Sequence, residues 1–156
     1  MGLPPGHYDV VFSGGVEYSI DAREVALLPA QPVFVDAKVY RVVDTTGWLS
    51  YDQHMHGAGS PDSSVSNYDR LDSALCDGLE VMVMTDHDYI RDLEPYIREQ
   101  GLWQSVITWP GDEISTLDVS HLIGFPLHYS EFESAHGALN WEGMTPSDIF
   151  TWVRNN

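Results

Sequence analysis

The chain has 156 residues, 43% hydrophobic and 20% charged. That composition suits one folded domain with a moderate core rather than a disordered chain, and it falls short of the roughly 200 residues or more of a complete eightfold β/α barrel. Seven Lys and Arg against 24 Asp and Glu give a formal charge of −17, a field that repels nucleic acid and anionic membrane surfaces.

No apolar run approaches the roughly 20 residues of a membrane span. The first eight residues lack the basic start and apolar stretch of a signal peptide. Cys76 is the one cysteine, so an internal disulfide and a cysteine-based zinc site are both excluded, and transition-metal ligands must be His and carboxylate. Beside Leu75 on a predicted helix, that thiol reads as a core or half-buried group.

Residues 1–46 read as a β-rich segment of the kind that ends a β-sandwich. Residues 16–20 predict a short strand, and residues 21–32, with Pro29 and Pro32, irregular chain. Val33, Val35, Ala37, Val39 and Val43 recur at alternate positions, interrupted by Arg41, and predict a long half-buried strand.

From residue 47 to 156 strand and helix alternate. Residues 48–56 read as a strand running into a Gly/Ser/Pro loop over 57–66. Tyr68, Leu71 and Leu75 have helical spacing, with Ser66 as N-cap and Gly78 as stop. Residues 79–84 are apolar but for Glu80, the pattern of a buried parallel strand. Pro95 opens a short helix with Ile97 on its inner face and Gly101 at its end.

Strands follow at 105–109 and 121–127. Thr145-Pro146 starts a last helix whose apolar face is Ile149, Phe150 and Val153. The fold class is α/β. A β/α chain that stops at Asn156, just after a helix, reads as a fragment.

The chemistry gathers at the predicted strand ends. His54 and His56 are two apart, so on a strand both imidazoles share a face and can reach one cation, with Asp52 on that face to orient them. His87, between Asp86 and Asp88, follows the buried strand. Glu113 follows the next strand, and His121 starts another apolar run. Asp62 lies in the first loop. Strand C-terminal ends are where β/α proteins build sites, and imidazole with carboxylate suits zinc, manganese or iron.

His7, His128 and His136 read as solvated, Trp103, Trp109, Trp141 and Trp152 as core or cover, and Arg70 and Arg91 as surface ion-pair partners, though either can hold a phosphate.

From Tyr51 to Leu127 these residues resemble the PHP (polymerase and histidinol phosphatase) superfamily, in its CehA/McbA-like branch. Asp52-Gln53-His54-Met55-His56 resembles the first motif, Ser60-Pro61-Asp62-Ser63 a serine-aspartate loop, and Thr85-Asp86-His87-Asp88 the second motif. Gly111-Asp112-Glu113 and His121 resemble the third, and the run from Thr145 to Phe150 a helix start before a further ligand-bearing strand.

The resemblance implies a partial, distorted β/α barrel of three to four βα units, preceded by the small antiparallel segment. It implies two or three divalent cations in the complete site, on His54, His56, Asp62, His87, Glu113 and His121. Asp52, Asp86 and Asp88 would stand behind these ligands. Asp62 and His87 would act with a metal-activated hydroxide on a small phosphoester. The same site suits a carbamate, ester or amide carbonyl, and a non-catalytic metal-binding or carbohydrate-associated module is a third reading. Nucleic acid and membrane insertion are not expected; compartment and oligomer are not legible.

Overall fold

A computed structural model describes residues 2–156. The chain forms two compact units, one from residues up to Trp48 with Cys76–Gly78, the other from Leu49–Leu75 with Leu79–Asn156.

In the first unit, β1 (Gly6–Phe12) and β2 (Asp21–Leu27) pair antiparallel, from Gly6 opposite Leu27 to Phe12 opposite Asp21. The observed strands are not the expected ones. Residues 16–20 form a turn and a single bridge, Tyr18 to Arg41, while β2 lies where irregular chain was expected. Residues 33–43 form no strand beyond that bridge, and Val33, Val35 and Val43 are exposed. Their alternation suits a pleated surface, but no neighbouring strand is aligned to complete one. The segment is held instead by the Glu17 carboxylate, which accepts from Arg41 and Thr45, and by Ser19 N–H donating to Tyr40 O at 2.8 Å.

The second unit is built on three parallel strands in the order β3 (Tyr51–Met55), β4 (Val81–Met84), β5 (Ile107–Pro110). The central strand Val-Met-Val-Met is buried along its whole length, as a strand with neighbours on both sides and covered faces must be. Helices α1 (Asn67–Cys76) and α2 (Glu94–Glu99) lie in the connections, and Leu71, Ala74 and Ile97 join Met55, Met82 and Met84 in the core. Ser66 Oγ caps α1 by accepting from Asp69 N–H at 3.1 Å, and Pro95 lies in the first turn of α2. Cys76, the last residue of α1, is exposed rather than half-buried.

Strands β6 (Asp112–Thr116) and β7 (Ser120–Gly124) then form an antiparallel hairpin. Its Ile114 packs with Leu139 and with Ile149 of α3 (Pro146–Asn155), flanked by Trp141, Trp152 and Val153. Trp103 and Trp109 are exposed, with Trp109 stacked on Phe125 at 6.4 Å between ring centroids. Phe150, expected on the inner face of α3, is also exposed.

Thr145 and Asp148 form a reciprocal capping box on α3. Thr145→Ala removes an acceptor for the Asp148 amide and is expected to lower unfolding free energy by about 1 kcal/mol, measured by urea denaturation.

The expected partial barrel is not present. The described residues form one three-stranded parallel sheet and two two-stranded antiparallel sheets, and none closes. The βα repeat ends at Gly111, after which β6 turns back directly into β7 with no helix between. Strands β3 and β5 are left as edges, so the curvature a barrel needs has no continuing strand to carry it.

Candidate metal centre

The ends of β3 and β4 and the start of β6 converge. His54 and His56 leave β3 on one side. His87 follows β4 and pairs with Glu113 of β6 in a single parallel bridge, with Asp88 N–H donating to Glu113 O at 3.1 Å and Glu113 N–H to Asp86 O at 3.2 Å. This bridge brings the second and third polar strand ends together.

Glu113 is the centre. Its carboxylate is buried, yet it meets imidazoles from three elements. His54 Nε2 and His56 Nε2 both lie 2.9 Å from Oε2, and His121 Nδ1 of β7 lies 2.6 Å from Oε1. His87 Nδ1 is 3.7 Å from Oε2. Burial pushes the Glu113 carboxyl up; hydrogen bonds from His54 and His121 and the charges of His87 and His54 outweigh it, and the net result is a lowered pKa.

Asp62 closes the other side. It lies 3.2 Å from His56 Nδ1 and 3.4 Å from His87 Nε2. Ser60 Oγ donates to Asp62 Oδ1 at 2.6 Å, and this bond, with the nearby histidines, lowers the Asp62 pKa to about 2 although burial opposes it.

Three groups of ligand atoms therefore come within 4.8 Å of one another: His54, His56 and Glu113; His56, Asp62 and His87; His87, Glu113 and His121. Each can hold a divalent cation. Octahedral ligands bonded to one ion at about 2.1 Å sit roughly 3 Å apart, and the 2.9 Å spacings around Glu113 Oε2 match that as well as they match hydrogen bonds. Nitrogen and carboxylate donors without thiolate suit zinc, manganese or iron. His54, Asp62 and His121 are exposed, so the cluster opens to solvent.

Asp52, expected to orient a histidine, and Asp86 and Asp88, expected behind the ligands, hydrogen-bond to backbone amides, to Arg91 and to Trp141. Asp52 Oδ1 accepts from the His54 backbone N–H at 2.9 Å. Asp86 is fully buried and accepts from Gly57 N–H at 2.6 Å and from Arg91 Nε at 2.6 Å. Arg91 is thus held by a buried carboxylate rather than at the surface. Asp88, at φ +50°, accepts from Ser115 N–H at 3.0 Å and Trp141 Nε1 at 2.9 Å. His7 and His128 are exposed; His136 is half-buried between Tyr89 and Tyr129 rather than solvated.

Two serines join the cluster without having been singled out for a role. Ser60 Oγ is 2.9 Å from His56 Nδ1, and Ser115 Oγ is 2.6 Å from His87 Nδ1. Ser115, two residues beyond Glu113 on β6, shares that residue's face.

Next to Glu113, Asp112 is fully buried, accepts from Tyr89 N–H at 3.2 Å and leaves Oδ2 without a hydrogen-bond partner among the described residues. Burial and the Asp88 charge raise its pKa from 3.8 to about 7. Its contribution favours the folded state most below 3.8 and is lost as pH rises towards 7, because only the unfolded chain ionises easily there. The expected loss is on the order of 4 kcal/mol. Asp112→Asn is expected to flatten this part of the pH dependence, checked by urea unfolding with chelator at acid, neutral and alkaline pH.

No family model matches the chain, and neither a curated protein nor a solved structure does. The resemblance to the PHP superfamily and its CehA/McbA-like branch is therefore overturned. Its motifs are short, and they supply imidazoles and carboxylates without making the chain a member. Among the described residues no helix is long and apolar enough to cross a membrane.

Proposed function

We propose that this chain is a divalent-metal-dependent hydrolase and that its substrates are small phosphoesters, with the chemistry carried by residues 47–156. One observation supports this above the rest: the buried Glu113 carboxylate takes His54 and His56 on one oxygen and His121 on the other. That is the arrangement of a carboxylate shared between cation sites, and Glu113 belongs to two of the three groups.

Bound divalent cations supply Lewis acidity and lower the pKa of water. The chain's own residues would do the rest. His54, His56, Glu113 and His121 would hold the cations, and Asp62 and His87 would complete a further site or face the leaving group. Asp62, with its pKa at about 2, is ionised at neutral pH and accepts rather than donates a proton. His87 Nε2 lies 3.4 Å from it. Two divalent cations would outweigh the charges of Glu113 and Asp62, and the loaded site would be locally positive in a chain of charge −17. That favours an anionic phosphoester over a neutral carbonyl compound.

The test is turnover by the manganese- or zinc-loaded chain of a nitrophenyl phosphodiester, a nitrophenyl acetate and an aryl carbamate. Release from the phosphodiester, lost in the His54→Ala/His56→Ala variant, is the expected result. Turnover of the acetate or carbamate alone would move the reaction to carbon, and no turnover of any substrate by a loaded, folded chain would sink the hydrolase reading.

A further inference from the structure

The second unit holds a pocket of about 260 Å³ that the proposed hydrolysis does not use, with Tyr89, Arg91, Tyr96, Tyr129 and His136 among its walls. Its polar groups are fixed. Arg91 donates from Nε to buried Asp86 and lies over the Tyr89 ring, 5.0 Å from guanidinium carbon to ring centroid. Its terminal amino groups make no hydrogen bond among the described residues.

His136 Nδ1 is 3.2 Å from Ser130 O. A carbonyl only accepts, so Nδ1 carries the proton and Nε2 of the neutral ring keeps its lone pair. The same ring stacks on Tyr129 at 4.7 Å and meets Tyr89 edge-on at 5.0 Å. Arg91 and His136 therefore place a donor and an acceptor around one tyrosine.

The backbone here is strained. Ala135 and His136 have φ of +49° and +59°, two successive non-glycine residues in the left-handed region, and Ala135 O is tied to Ile90 N at 3.2 Å. Strain of this kind gathers at ligand clamps and active sites.

We infer that this pocket binds a free planar heterocycle with a lactam edge, a carbonyl beside an N–H, the chemistry of a nucleobase or nucleoside. The ring packs on a tyrosine face, close to the plane of the His136 imidazole. Its carbonyl accepts from Arg91, and its N–H donates to His136 Nε2. Charge argues against an acidic ligand: Asp86 already offsets Arg91, Asp92 lines the pocket and the chain stands at −17. The same charge repels a polynucleotide. The volume lies just under the roughly 300–1,000 Å³ of drug-sized sites and suits a small planar ligand. The inference uses no residue of the cation cluster and does not depend on it.

The test is a nuclear magnetic resonance titration of the full, isotope-labelled, metal-free chain with uracil and hypoxanthine. Saturable shifts at His136 and Tyr129 are expected. Dimethyluracil, methylated on both ring nitrogens, keeps the carbonyls but lacks the N–H and should bind about tenfold more weakly, the worth of one well-made hydrogen bond. His136→Phe, which keeps a stacking ring but no acceptor, should erase that difference. No saturable shift with either base, equal binding of dimethyluracil, or tighter binding of benzoate would each overturn the inference. The wild-type comparison decides even where the variant does not fold.

Discussion

Glu113→Gln is expected to weaken binding of manganese or zinc by more than about 100-fold, beyond the 10–100-fold that removal of an outer hydrogen-bond partner costs. Glu113 joins two of the three ligand groups, so one substitution damages both. Gln keeps the size of the side chain but replaces one carboxylate oxygen with an amide nitrogen that cannot ligate. The charge that draws the cation is lost as well. Isothermal titration of the apo chain with each metal measures the effect. A loss of less than tenfold would mean that Glu113 does not ligate.

Asp86→Ala is expected to destabilise the chain by roughly 3–5 kcal/mol, because it leaves a mostly buried guanidinium without its counter-charge. Asp86 is fully buried, and the Arg91 side chain is 15% exposed. The Gly57 amide loses its acceptor too, so the loop bearing Ser60 and Asp62 is loosened. For a chain of this length the melting temperature should fall by roughly 10 °C, read by circular dichroism. Replacing both partners together, Asp86→Leu with Arg91→Met, should recover much of the loss, since a buried pair and a matched apolar pair differ little. A fall no larger than that of a surface substitution would show that the pair contributes little to the fold.

These expectations rest on residues that were unevenly legible in the sequence. The parallel sheet was readable because β4 is an unbroken apolar run and Ser66, Pro95 and Thr145 carry helix-start chemistry that operates within a few residues. Strand β6 was not. Its Asp112 and Glu113 are both buried, so polar side chains occupy positions where apolar ones announce a strand.

The hairpin of β6 and β7 was lost with it, and so was the role of Ser115. In the first unit the reverse happened. Residues 33–43 carry strand-like alternation, but strand formation needs a partner, and sequence pattern does not reveal whether one is in register. The candidate ligands were legible as chemistry because His-x-His and the strand-end acids are local features. The barrel expected around them was not, since short motifs specify a site and leave the fold open.

The most direct measurement is the metal content of the full chain, purified without a histidine tag, loaded with manganese or zinc, freed of excess ion and analysed by elemental mass spectrometry. The account predicts at least one equivalent per chain, lost in the His54→Ala/His56→Ala variant while the circular dichroism spectrum is unchanged. A folded wild-type chain that retains no metal would contradict it.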